Sequence, residues 1–147
     1  MGFAHNPILI NDRVASKLVT FAGGTPNAIG DHDGTADPTT LFTVTGQVNA
    51  TVYGVCGLTL VGAATIEVGV AGSTASVIAQ IADATDLATG ELYLDATPTT
   101  TVEALPAKQL IKADIIMTLA SADITAGNIT FYAIWEPVTS GSSLVAA

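Results

Sequence analysis

The stretch FTVTGQVNATVYGVC, residues 42–56, alternates apolar with polar side chains. Phe42, Val44, Val48 and every second residue onward to Cys56 are apolar or small, and threonine, glutamine and asparagine dominate between them. A repeat of two is typical of a β-strand with one buried face. The stretch fits one long bent strand, or two strands broken near Gly46 or Gly54. In either case Cys56 falls on the apolar face, where we expect a small buried side chain.

Shorter stretches of the same kind follow at close spacing. Strands are predicted over residues 14–21, 64–70, 77–81, 92–94, 115–119 and 129–135. Val77, Ala79 and Ile81 are expected to share one face of the third of these strands. The last two are expected to form the final pair, joined by residues 121–128. No amphipathic helix is apparent, so we predict an all-β fold: an antiparallel β-sandwich, jelly-roll-like, with about eight strands.

The length of 147 residues suits one domain with its own core. We expect an N-terminal arm over residues 1–13, the sandwich over residues 14–138 and a flexible C-terminal tail over residues 139–147.

The composition is unusually apolar for a protein that stays in solution alone. Nearly half of the residues are hydrophobic, 12% are charged and the mean hydropathy is +0.53. Polar residues interrupt every long apolar run, which argues against a transmembrane segment, and the first twelve residues, MGFAHNPILIND, do not read as a secretory signal. We therefore expect another protein surface to cover the excess apolar area, as in an oligomer or an assembly.

The charges are distributed unevenly along the chain. Its four basic residues are Arg13, Lys17, Lys108 and Lys112, against thirteen acidic ones, which gives a net charge of −9. Binding to nucleic acid requires lysine or arginine to neutralise phosphates, and attraction to anionic membranes requires them too. We therefore expect neither nucleic acid nor a membrane as a partner.

The segment GDHDGTADP, residues 30–38, places three carboxylates around His32. With Asp31 at the first position of an EF-hand loop, Ala36 occupies the position that needs glycine, and Phe42 the position that needs glutamate. His5 and His32 also lack the spacing of zinc ligands. Asp, Gly and Pro favour turns for backbone reasons alone. We interpret the segment as an exposed loop, with Asp31, Asp33 and Asp37 as the candidate metal ligands, and expect no cofactor.

Motifs for catalysis are equally sparse. The chain lacks a nucleophile elbow and a nucleotide-binding glycine loop. The carboxylate pairs Asp83/Asp86 and Glu91/Asp95 fit the acid and base of a glycosidase, but sugar clefts also need several aromatic platforms. We interpret both pairs as solvated turn charges and predict a protein that is not an enzyme.

Trp135 ends the strand FYAIWEP, residues 131–137. We interpret it as an anchor of the core or of a subunit interface, where aromatic residues are enriched. Stacking on a carbohydrate is the alternative.

Several phrases of the sequence carry a resemblance. DITAGNITFYAIWEP, residues 123–137, resembles the ending of small structural proteins of tailed bacteriophages, and LFTVTG (41–46), ATIEVG (64–69) and ELYLDATP (91–98) resemble their earlier strands. The resemblance covers roughly residues 39–137. It implies a non-enzymatic virion protein of the head decoration or cement type, which assembles in the host cytoplasm and sits on the capsid exterior.

The same resemblance implies the partners: copies of the chain itself, as a homotrimer, and the major capsid protein. The interface candidates are then Phe3, Ile8 and Leu9 of the arm, together with Trp135. Two alternatives stay open. One is a phage tail or fibre module for host recognition, and the other is a carbohydrate-binding β-sandwich module.

Overall fold

The computed structural model describes residues 13–147, which form two antiparallel β-sheets packed face to face. The ten strands are β1 (Arg13–Thr20), β2 (Thr39–Thr45), β3 (Val48–Val61), β4 (Thr65–Val70), β5 (Ser73–Ile81), β6 (Leu92–Tyr93), β7 (Gln109–Ile111), β8 (Ile115–Ala120), β9 (Ala126–Pro137) and β10 (Ser143–Ala146). A single turn of 3-10 helix, Ala84–Asp86, follows β5. Among residues 13–147, no helix has the length and apolar character needed to cross a membrane.

The order of the strands is that of a jelly roll. Sheet A runs β1-β9-β3-β6, and sheet B contains β2-β8-β4-β5. These eight strands have the order of the double Greek key, with successive pairs of strands divided between the two sheets. Strand β7 pairs with β3, and β10 adds to the edge of sheet B beside β2. The predicted sandwich is therefore confirmed, with ten strands in place of about eight.

The stretch at residues 42–56 divides into two strands at Gly46, one of the two predicted alternatives. The chain leaves β2 in sheet B at Thr45 and enters β3 in sheet A at Val48. Strand β3 then pairs with β9 along most of its length, from Val48 opposite Pro137. The inward side chains of this stretch are buried: Phe42, Val48, Ala50, Val52 and Cys56. Because both long strands lie in the middle of sheet A, their alternation sets one face against the core.

The predicted face of residues 77–81 is wrong. Ile78 and Ile81 are buried, whereas Ala79 is exposed and Val77 is half-buried. The reason is an irregular register, since Ile81 lies opposite Ile66 but Ile78 lies opposite Val68. The extra residue in β5 shifts the alternation between the two isoleucines.

Two expectations about the C-terminal part also need correction. Strands β8 and β9 do not pair with each other, because β8 lies in sheet B between β2 and β4, and β9 lies in sheet A between β1 and β3. Residues 143–146 do not form a tail but strand β10, in which Leu144 is buried opposite Val44 of β2. Residues 1–12 of the predicted arm, including Phe3, Ile8 and Leu9, lie outside the described residues.

A buried tyrosine connects the two sheets. The Tyr93 hydroxyl, on β6 of sheet A, donates to the carbonyl oxygens of Ile66 on β4 (2.9 Å) and Ala79 on β5 (3.2 Å). Its ring meets that of Phe131 edge to face, with the centroids 6.3 Å apart. Burial raises the pKa of Tyr93 well above its ordinary value, so the hydroxyl stays a donor. The contact fixes β6 against sheet B.

Candidate interaction surface

The outer side of sheet A presents four rows of side chains, formed by the residues of β1, β9, β3 and β6 that alternate with the buried ones. We call this set the sheet A face. Its rows are Val14–Ile134–Thr51, Ser16–Tyr132–Tyr53, Leu18–Thr130–Val55–Leu92 and Thr20–Asn128–Leu58. None of these residues carries a charge.

Much of the sheet A face is apolar and accessible. Val14 is 68% exposed, Leu18 59% and Leu58 58%. Between them lie the half-buried rings of Tyr53 and Tyr132, which stack with their centroids 5.3 Å apart. The stacked pair occupies the middle strands, and the exposed aliphatic side chains surround it.

Charged groups near this face lie at its margin or turn inward. On β1, Arg13 lies over the ring of the buried Trp135, 5.1 Å from its centroid, and Lys17 donates to the carbonyl of Ala147. Glu136 lies beyond the first row, where its carboxylate is 3.6 Å from the Lys108 ammonium. The face itself therefore stays free of formal charge although the chain carries −9.

The outer side of sheet B differs in chemistry. Glu67 on β4 accepts a hydrogen bond from Gln80 on β5 (2.8 Å), and Thr118 lies opposite Glu67 on β8. The Thr118 hydroxyl is buried, and Ile116 on the same strand is 9% exposed, so the chain itself covers part of this side. The sheet A face differs in that three of its aliphatic side chains, Val14, Leu18 and Leu58, are more than half exposed and no charged residue lies among its rows.

Part of the sheet A face is already covered by the chain itself. The Thr51 hydroxyl donates to the carbonyl oxygen of Pro106 (3.0 Å), and Thr51 is 5% exposed. The segment after β6 therefore crosses the first row at β3. Leu105 of this segment is about half exposed, so the covering adds another apolar side chain at the edge of the surface.

The loop between β1 and β2 contains the acidic segment. Five linked turns run through it, with hydrogen bonds from every third amide to the carbonyl three residues earlier, beginning at Thr25 and ending at Asp37. Backbone bonds from Gly23 to Ile124 (2.9 Å) and from Ile124 to Gly30 (2.8 Å) fasten this loop to the connection between β8 and β9. Residues 30–38 therefore form turns, as the sequence predicted.

Within the loop, His32 pairs with a residue that the sequence did not indicate. Its Nδ1 lies 2.7 Å from Oδ1 of Asp123, and its backbone N–H donates to the same oxygen (3.2 Å). Asp33 lies 3.5 Å from Nε2 on the other side of the ring. The hydrogen bond to Asp123 raises the pKa of His32, and the same bond lowers the pKa of Asp123.

The structure does not gather the predicted metal ligands Asp31, Asp33 and Asp37 into one group, and only Asp31 lies in a cluster of donor atoms. Donor atoms of Asp31, His32 and Asp123 lie within 4.8 Å of one another, a mixed set that a divalent cation would accept. The Asp31 carboxylate, however, accepts the backbone N–H groups of Asn27 (2.6 Å) and Asp33 (3.3 Å). Asp37 points elsewhere: it accepts the N–H of Leu119 (3.1 Å) on β8, and burial raises its pKa. Through these hydrogen bonds the carboxylates of Asp31 and Asp37 stabilise the loop.

The carboxylates considered for glycoside cleavage also serve turns. Asp83 accepts the N–H and hydroxyl of Thr85 at the start of the 3-10 turn, which lowers the pKa of Asp83. Asp95 accepts the same two groups of Thr97, which lowers its pKa. Glu91 accepts the N–H of Ala88 (2.6 Å). Asp83 and Glu91 are held by their neighbours in sequence, and Asp95 also shares a hydrogen bond with Glu103.

A groove of about 350 Å³ lies between β5 and β7. It is lined by Val70, Ser76, Val77, Gln109, Leu110, Ile111, Lys112 and Ala113. Lys112 is the one ionisable side chain among them. The groove thus offers apolar contact and does not bring together an acid and a base.

Trp135 and Cys56 both lie in the core. Trp135 is 6% exposed on the inner side of sheet A. Of the two predicted roles, anchor of the core or of a subunit interface, its position fits the first, so Trp135 is not accessible as an interface residue. Cys56 is 1% exposed, and burial raises the pKa of its thiol to about 11. The predicted small buried side chain is confirmed.

No protein-family model matches this chain, and neither a curated protein nor a solved structure is found to be similar to it.

Proposed function

We propose that this protein is a non-enzymatic structural subunit of a virus particle, of the capsid decoration or cement type. The observation that carries the proposal is the sheet A face: an uncharged, largely apolar surface on the outside of a complete sandwich. Contiguous exposed apolar surface of this kind marks a site of protein–protein contact. The protein then acts by binding to other proteins of an assembly and needs no catalytic group.

The fold, the sequence and the net charge support an assembly role. Jelly rolls are a recurrent architecture of viral capsid domains. The phrases at residues 41–46, 64–69, 91–98 and 123–137 resemble those of phage virion proteins. Many weak contacts repeated over a capsid lattice give firm attachment without a catalytic group. The strongly acidic chain suits the capsid exterior, away from the packaged nucleic acid.

The geometry favours this function over carbohydrate binding. Sugar-binding sheets present open aromatic faces, and Tyr53 and Tyr132 are the aromatic side chains of the sheet A face. Their rings stack on each other at 5.3 Å, so each ring has one side occupied by the other. This arrangement suits the centre of a protein–protein contact better than the stacking of a sugar ring on an open aromatic face.

Immunogold labelling of purified virus particles tests the proposal. An antibody raised against the purified protein is applied to intact particles, with the same antibody pre-absorbed on the protein as the control. Labelling spread over the head surface supports a decoration subunit. Labelling confined to the tail tip selects the host-recognition alternative, and particles without label overturn the virion assignment.

A further inference from the structure

We infer that the sheet A face packs against the same face of a second copy of this chain. The inference deepens the proposed function and rests on it, because it names the partner that covers this surface in the assembled form. In the proposed function this face indicates that the protein belongs to an assembly. Here the face is assigned to the contact between two subunits, and the pair attaches to the capsid through the rest of its surface.

Charge is the first reason to assign this face to a second copy. Each copy carries −9, so most contacts between two copies would bring carboxylates together, at a cost in affinity. On the sheet A face, the four rows from Val14 to Leu58 hold no charged side chain, and Arg13 and Lys17 turn inward. Two copies meet there without like charges in contact.

The arrangement of side chains on the face is the second reason. Interface centres are rich in aromatic anchors, with a polar rim around them. Tyr53 and Tyr132 stack in the second row, while Thr20 and Asn128 lie at the far end. Since both copies present the same surface, a two-fold axis would pair the aromatic centre of one with that of the other. This contact forms a dimer, in place of the homotrimer that the resemblance implies.

The size of the face is consistent with this role. Three strands at about 4.8 Å spacing and eight residues at about 3.3 Å each cover roughly 380 Å² in projection. A standard interface buries about 800 Å² per partner. The sheet A face therefore supplies about half of the area of such an interface.

Light scattering on the full chain after size exclusion tests the inference, with three proteins at equal concentration. They are the wild type, Leu18→Glu and the control Val145→Glu, whose valine is 53% exposed on β10 of the other sheet. We expect an oligomer for the wild type and the control. Leu18→Glu should weaken association on the order of 100-fold, with an unchanged circular dichroism spectrum.

A mixing experiment shows whether the face meets itself. Leu18→Lys is prepared separately, and equal amounts of Leu18→Lys and Leu18→Glu are combined. If the face packs on its own copy, each variant alone is weakened, and a mixture that regains association shows that the two introduced charges attract each other across the contact. Leu18→Glu that associates as well as wild type overturns the inference.

The outcomes separate this inference from the proposed function. If Leu18→Glu keeps its oligomeric mass while immunogold labels the head, the decoration role stands and the assignment of the partner is wrong. If Leu18→Glu dissociates a wild-type oligomer but particles carry no label, the inference stands and the proposed function is wrong. The sheet A face then joins two copies of a protein that is not part of the virion.

Discussion

Loss of the Tyr93 hydroxyl should reveal how firmly the two sheets are connected. Tyr93→Phe keeps the ring, so the packing against Phe131 remains and no large cavity forms. It removes the donor to the carbonyl oxygens of Ile66 and Ala79 inside the sandwich, where Tyr93 is 0% exposed. A buried polar group deprived of its partner costs about 1–3 kcal/mol. In a domain of this size each kcal/mol lowers Tm by about 2–4 °C.

Thermal and urea unfolding of the full chain measure this cost. We expect Tyr93→Phe to lose about 2 kcal/mol in the free energy of unfolding and roughly 6 °C in Tm. The matched control is Tyr132→Phe, the same change on the half-buried sheet A face, which should stay within about 0.5 kcal/mol of wild type. A Tyr93→Phe protein as stable as this control would refute the connection between β6 and sheet B.

Three further predictions concern the loop and the core. His32→Gln should lower Tm most near pH 5. The contribution of the protonated His32 to stability is complete below about pH 6.5 and is lost as the pH rises through its raised pKa, whereas the contribution of the ionised Asp123 is lost as the pH falls through its lowered pKa. An equal loss of Tm from pH 5 to pH 9 would contradict the pairing. Cys56, with a thiol pKa of about 11, should react with maleimide only after unfolding; labelling of the native protein would contradict its burial. Gly30→Ala should destabilise by more than about 2 kcal/mol in urea unfolding, since Gly30 has φ +108° and a Cβ would lie 2.2 Å from the Ile124 carbonyl oxygen; Gly72→Ala (φ +85°), with open space around it, is the control, and equal losses would refute the close approach.

The fold class was predictable because alternation reports burial directly. The strands that contain residues 42–56 and 129–135 each have a neighbouring strand on both edges. One face of each strand therefore packs against the core, and the apolar residues of the alternation lie on that face. At β5 the same rule failed, because the irregular register between Ile78 and Ile81 moves the buried side. Such an irregularity depends on the partner strand and leaves no trace in the local pattern.

The pairing of strands was beyond local patterns for a similar reason. Residues 115–119 and 129–135 are neighbours in sequence, but a jelly roll sends consecutive strands of this kind to different sheets. Strand β10 is only Ser143–Ala146, and it is held by pairing with β2 and by the burial of Leu144. Four residues supply too little alternation to distinguish a strand from a tail.

The candidate surfaces were predicted only in outline. Composition indicated excess apolar surface, and the structure adds that Val14, Leu18 and Leu58 lie on the same side of one sheet. The partner of His32 was not predicted because Asp123 is 91 residues away. Only the fold brings the two loops together, through the backbone bonds of Ile124.

Cysteine accessibility tests the central claim, that the sheet A face is covered in the assembled protein. Because Cys56 is buried, a cysteine introduced by Leu18→Cys reports alone, and Val145→Cys, from a residue of similar exposure on the other sheet, is the control. At a concentration where the protein is assembled, we predict that Leu18→Cys reacts with maleimide far more slowly than Val145→Cys, and that dilution removes the difference. Equal rates at every concentration would contradict the claim.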